Sequence, residues 1–380
     1  MARDHFIPAS FIARFSENPA PQARKSEVHV KFRGKNISIK KRAEKIGYAN
    51  SLYDIEKDFT FAQQTNAVDS VWTSYESTLN PAIEDLVAGT LSAVDFVSII
   101  VPFVAGFFAR DVSYSSRTTS RIEHVHADLP NFIKESMSEH NHVALNRLSE
   151  LDFITPKLLA SEWVVSETDG DLVLPDLGIG FNYVGIFEGV DAISYLLPLG
   201  PRSLLEITPL PAVPLFEIAD RGFYPAIVHS KEIRSAAKVN ELLKVTSIRY
   251  CIGTKSAIDS ISLPADREIT DLDVDQCMMH WPFQPSLLEM KGLYPVVVAL
   301  AKGEIGIDDL SEIPLDRHYW LRKVDPAAKI ISVPSRTAAA SFLYEQNNHL
   351  IVRPHLGSIS INSNETIHLG PFNDKEDDLA

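Results

Sequence analysis

Apolar and polar positions divide this chain into two textures, with helical spacing dominating the first half and short alternating runs the second. Val28, Val30 and Phe32 alternate with His29, Lys31 and Arg33, and Ile37 and Ile39 alternate with Ser38 and Lys40. The two runs flank the loop Arg33-Gly34-Lys35-Asn36. A period of two around such a turn predicts a β-hairpin with one buried face, its basic residues lying on the outer face or in the loop.

Between residues 67 and 87 the apolar positions Val68, Val71, Trp72, Tyr75, Leu79, Ile83, Leu86 and Val87 recur at steps of three and four. That spacing predicts an amphipathic helix, and Pro81 predicts a kink or break near Asn80, since proline cannot donate to the helical ladder. The following stretch to Ala109 carries Asp95 as its one charged residue, and its most apolar part runs from Phe96 to Ala109. This is shorter than the roughly 20 residues a membrane span needs, so the expectation is a fully buried helix and no membrane partner. A further helix is expected over 129–148, flanked by two His-x-His pairs, His124/His126 and His140/His142. Alternate residues lie about 200° apart on a helix, so neither pair could converge on a metal from one helical face, and solvated imidazoles are the expectation.

After Pro156 the runs 163–165, 172–175, 181–187, 195–199 and 204–207 read as strands of a mixed or antiparallel sheet. A helix is expected over 235–245, a buried strand over 294–301, and a frayed acidic tail over 374–380. The pattern as a whole predicts an α+β fold with a helix-rich first half, an N-terminal β-hairpin, and a mixed or antiparallel sheet in the second half. The organisation expected is a core over 1–255, with hairpin and helices to 155 and a β-rich part over 156–255, then an α/β extension over 256–373.

Composition narrows the function classes. The 380 residues include 45% hydrophobic side chains, enough for a globular core rather than a disordered chain. Two cysteines, Cys251 and Cys277, cannot build a disulfide framework, and the opening residues lack a secretory signal pattern, so a reducing cytoplasm is expected. The net charge of −14 argues against a protein that coats nucleic acid with its whole surface. Yet residues 1–45 hold eleven basic side chains against four acidic ones, which leaves a net of −21 on the remainder. The basic stretch 24–45 therefore suggests contact with nucleic acid or an acidic partner, or a basic element docked on the chain's own acidic body. Phe32 is the single aromatic residue of that stretch, a thin provision for stacking on bases.

The usual catalytic signatures are missing: no phosphate-cradling loop, dinucleotide fingerprint, His-Glu-x-x-His, nucleophile elbow or Cys-x-x-Cys occurs. No cofactor is implied. The most distinctive segment is the opening one, His5-Phe6-Ile7-Pro8 followed by Ile12, Arg14 and Phe15, with Tyr53 after the hairpin. With Glu76, Pro81 and Ile83, then Trp163 and Asp176, Pro198-Leu199-Gly200-Pro201 and Val239-Asn240, it resembles the bacterial family known as domain of unknown function 4238 over roughly residues 5–255. Two departures stand out. Leu174-Pro175-Asp176-Leu177 replaces the family's Ser-Asp-Asn-Pro, and Phe107 takes the place of the Gln in its Gln-x-x-Arg before Arg110.

The resemblance implies a fold and no reaction, but it marks His5, Arg14, Arg110 and Asp176 as polar positions at which a shared site would form. Each has a structural alternative: His5 as a lock on a backbone carbonyl, the arginines as partners of buried carboxylates, Asp176 as a turn cap. Two functions follow. One is an enzyme acting on a phosphodiester or nucleotide, a defence or toxin-like effector, with His5 as acid or base, the arginines holding phosphate and Asp176 holding a metal or water. The other is a non-catalytic module that binds protein or nucleic acid through the basic N-terminal segment.

Overall fold

The computed structural model describes residues 3–54, 67–125, 127, 130–159, 161–187, 190–209, 213–214 and 227–279, with four short strands between 343 and 369. The expected strand at 294–301 and the acidic tail lie outside the described residues.

The chain opens with β1 (Arg3–His5), which pairs antiparallel with β4 (Tyr48–Asn50), placing His5 opposite Tyr48. Pro8 ends this strand and begins α1 (Ala9–Ile12), its carbonyl accepting from the amides of Phe11 and Ile12. Phe6, Ile7, Phe11, Ile12 and Phe15 are all buried, so the opening segment is a hydrophobic plug rather than a loose end.

The hairpin forms as β2 (Glu27–Phe32) and β3 (Ile39–Arg42), with Val30 opposite Ile39. Its surroundings differ from the simple alternation. β12 (Tyr250–Gly253) pairs with the other edge of β2 and with β6 (Leu174–Pro175), giving the antiparallel order β3-β2-β12-β6. β2 is therefore an interior strand, and both its faces are covered: His29 and Lys31 are as buried by class as Val28 and Val30. Sequence order thus fails to separate the two textures, because a strand from the second half sits between strands of the first and second.

The larger sheet has the order β11-β5-β9-β8-β7, built from β5 (Ser161–Glu167), β7 (Gly180–Phe187), β8 (Val190–Gly200), β9 (Ser203–Pro209) and β11 (Ile227–His229). All pairs are antiparallel except β11 with β5, so the sheet is mixed, as the short runs predicted.

The helix expected over 67–87 is two helices, α2 (Ala67–Glu76) and α3 (Leu79–Ala88). The break precedes Pro81, which then occupies the first turn of α3, where its missing N–H costs nothing. Next come α4 (Ala93–Asp95), a π-helical turn Phe96–Ile100 and α5 (Val101–Ala109). The π register lies where Pro102 cannot donate to Ser98, an arrangement that lets the helix continue without a clash. Every residue of α5 is buried, and it forms the spine of the molecule. Phe103 and Phe107 pack against Phe11 on one side, while Phe108 meets Tyr195 of the large sheet edge-on at 5.0 Å. Among the described residues no single helix is long and apolar enough to cross a membrane.

After α6 (Tyr114–Val125), the helix expected over 129–148 is replaced by α7 (Asn131–Met137) and α8 (His140–Leu159), which runs further than the apolar pattern indicated. α9 (Ala236–Thr246), α10 (Lys255–Ser260) and α11 (Asp271–Met279) complete the packed body. The last is tied to α6 by Arg117 and Asp275 at 2.9 Å.

Candidate functional site

The four sequence-derived positions fall in three places. His5 and Arg110 are brought together across 105 residues: the Arg110 guanidinium donates from Nη2 to the His5 carbonyl at 2.6 Å and to Glu76 Oε1 at 2.9 Å. Arg110 ends α5, with its guanidinium 5.0 Å above the centre of the Trp72 ring. Its own carbonyl accepts from Tyr53 Oη at 2.8 Å, and the Tyr53 amide donates to Asp4. One guanidinium thus ties the opening segment to the end of α2, while the carbonyl of the same residue anchors Tyr53.

The imidazole of His5 is half-buried, and its ring is tilted against Tyr48 at 5.8 Å. Burial lowers its pKa; Glu76 opposes that shift, while the charges of Arg110 and Arg24 reinforce it. A hydrogen bond to the backbone of Glu44 also opposes it. Its Nε2 is buried without a hydrogen-bond partner, as is Trp72 Nε1. The His5 carbonyl is held by Arg110, and the ring itself is hydrogen-bonded to the backbone of Glu44.

Asp176 lies elsewhere and is occupied. It is fully buried, and its two oxygens accept from the amides of Ile248 and Arg249 at 2.6 and 2.8 Å, binding the β6 end to the approach of β12. Burial pushes its pKa up to about 6 against the pull of those amides. This is the turn-cap arrangement, with both oxygens engaged by backbone amides. The two departures from the resemblance meet here as well. A Cβ on Gly178, whose φ is +86°, would stand 2.0 Å from Phe107 Cδ1, so the aromatic ring fills the space beside this turn.

Arg14 occupies a third place. Its Nε donates to Leu199 O at 2.8 Å, and Nη1 lies 3.5 Å from the exposed carboxylate of Glu84. It lines a cleft of about 340 Å³ between α1, α3 and the turn joining β8 to β9. Neither His5, Arg110 nor Asp176 reaches that cleft.

Sequence reading missed a buried ionic layer beside Arg110. Arg117, 2% exposed, donates to Asp111 at 2.6 Å and to Asp275 at 2.9 Å, and Arg121 pairs with Glu150 at 2.6 Å. Arg147 donates to the carbonyls of Ala109 and Asp111 and stacks 4.3 Å above Tyr114. Arg117 and Arg121 sit four residues apart on one helix ridge, a signal that was legible but reads equally as a solvated face.

The histidine pairs form no metal site among the described residues, where no group of three or more His, Cys, Asp or Glu side chains could hold an ion. His126 lies outside the described residues. His140 is exposed, as expected, and its Nε2 lies 2.8 Å from Asp54 O.

The basic segment is divided. Lys31 is buried and donates to Ile261 O at 2.7 Å beyond the end of α10, while Arg33 donates to the carbonyls of Lys244, Ser247, Pro264 and Asp266. Both were expected on the outer face or in the loop; Lys31 is instead covered by α10, whose last turn and following residue carry the carbonyls it reaches, and Arg33 turns into the carbonyls that follow α9 and α10. Lys35, Lys40, Lys41, Arg42 and Lys45 stay exposed.

No protein-family model, no curated protein and no solved structure matches this chain. Its function has to be argued from the sites themselves.

Proposed function

We propose that this protein is a non-catalytic binding module whose basic edge strand takes an extended acidic segment of a partner polypeptide. The observation that carries the reading is β3. It is the outer strand of its sheet, all four of its residues are exposed, and three of them in succession are the cations Lys40, Lys41 and Arg42. One row of its backbone donors and acceptors has no described strand beside it, which is the geometry for adding a strand from another chain. Ile37 and Ile39 add apolar surface, being 77% and 41% exposed.

Charge selects the occupant. Like charges repel a second copy of the same strand, whereas alternating acidic and apolar residues complement both the cations and the isoleucines. A nucleic acid is less well served, because Phe32 packs edge-on against Tyr250 at 5.3 Å and is not free to stack on a base. The test is fluorescence anisotropy with a labelled peptide of alternating glutamate and valine, and a single-stranded oligonucleotide of equal charge as competitor. Expected are peptide binding that weakens with salt and a loss of about tenfold or more when Lys40, Lys41 and Arg42 are all changed to Glu. Absence of peptide binding, or preferential binding of the oligonucleotide, overturns it.

A second reading keeps the phosphodiester or nucleotide enzyme, supported by the half-buried His5 ring with its unpartnered Nε2 beside Glu76 and Arg110. Its scope is narrower than the sequence suggested, since Arg14 and Asp176 are elsewhere. A His5→Ala change that abolishes a hydrolytic activity at unchanged melting temperature supports it; equal loss of stability and activity removes it.

A further inference from the structure

We propose that the cleft lined by Arg14 binds a small molecule through a phosphate group. Three features of the cleft point to an oxyanion. First, the guanidinium is held in place rather than free. Its Nε donates to Leu199 O at 2.8 Å, and with the side chain 18% exposed its Nη edge is presented to the cleft. A planar guanidinium fixed on one side offers the remaining N–H groups as a fork for an anion.

Second, the acid nearest to it is easily displaced. Glu84 sits 3.5 Å away with its side chain 72% exposed, and an ion pair this long and this wet is weak. A ligand oxyanion at Nη exchanges that screened contact for one in a more enclosed position, and Glu84 turns into solvent. Third, Ser10 and Ser203 line the same cleft, and their hydroxyls make no hydrogen bond to any described residue. Guanidinium and two hydroxyls together suit the several acceptor oxygens of a phosphate monoester better than the two of a carboxylate. A cleft of about 340 Å³ lies in the range of small-ligand sites.

The floor supplies the means of testing this. Gly200 lines the cleft, its φ is not among the positive values, and a Cβ built there meets no atom within 4 Å. The added Cβ thus has open space beside the cleft that Gly200 lines, and a larger side chain there takes up cleft volume. This site is separate from the edge strand and stands or falls independently of it.

The probes are phenyl phosphate and benzoate, used with the full chain. Hydrogen exchange of the wild-type protein is expected to slow on adding phenyl phosphate in peptides covering 9–15, 79–84 and 199–204. Affinity for phenyl phosphate, measured calorimetrically, is expected to fall about tenfold or more in Gly200→Leu and in Arg14→Ala, with an intermediate loss in Arg14→Lys. Protection confined to other segments, or no binding at all by the wild-type chain, overturns the proposal, and because that comparison needs no variant it holds even if one fails to fold. Equal affinity in a folded Gly200→Leu protein also overturns it. Tighter binding of benzoate than of phenyl phosphate overturns the assignment to phosphate.

Discussion

Arg110 holds the carbonyl of His5 rather than its imidazole, at 2.6 Å from Nη2. The contact belongs to the backbone at position 5, so the two residues make different predictions even though they touch. Arg110→Ala removes a 2% exposed cation, leaves Glu76 and the His5 carbonyl without their donor, and is expected to cost about 3–5 kcal/mol. His5→Ala keeps the carbonyl and is expected to cost about 1 kcal/mol. Urea denaturation of both variants checks this, and a His5→Ala cost equal to that of Arg110→Ala would show the ring to be the structural element.

Asp176 ties stability to pH. Its folded pKa of about 6 stands above the ordinary carboxylate value because burial disfavours the charged form. The folded state then binds the proton more tightly than the unfolded state. The associated stability is fully present below about pH 4 and lost as pH rises through about 6, by up to roughly 3 kcal/mol. Asp176→Asn cannot titrate, so the fall in urea midpoint between pH 4 and 7 should be smaller in the variant than in the wild type. An unchanged pH profile refutes this.

Gly178 and Gly200 should behave oppositely. Alanine at 178 brings a Cβ within 2.0 Å of the Phe107 ring at a φ of +86°, a clash with an aromatic that is itself 2% exposed. A loss of about 3 kcal/mol or more is expected, while Gly200→Ala stays within about 0.5 kcal/mol. Thermal melting of the pair is the measurement.

Lys31 should prove structural although it lies in the basic segment. Its ammonium donates to Ile261 O at 2.7 Å, 8% exposed, so Lys31→Met keeps the buried stem and loses that bond. A cost of about 1–3 kcal/mol is expected, with no change in affinity for an acidic peptide. Weaker peptide binding at full stability would place Lys31 in the binding surface after all.

Local chemistry was readable from residues near one another in the chain. The hairpin of Val28 to Lys40, the helix break ahead of Pro81, the buried run from Phe96 to Ala109 and the short strands after Pro156 follow from spacing and from what proline and glycine forbid. The cap role of Asp176 was open to the same reasoning, since a carboxylate at a strand end beside a proline is suited to backbone amides.

Tertiary structure decided the rest, because it depends on pairings whose cost and reward lie far apart in the chain. Period-two alternation cannot say whether β2 is an edge or an interior strand. β12 made β2 an interior strand, and α10, packed on the face that carries Lys31 and followed by the Ile261 carbonyl its ammonium reaches, turned an outer-face residue into a buried one. Nor can spacing reveal that His5 and Arg110 meet while Arg14 and Asp176 do not. Short-range sterics and periodicity act within a few residues and leave their mark on the sequence, whereas burial and charge pairing are fixed only when distant segments pack and exclude water.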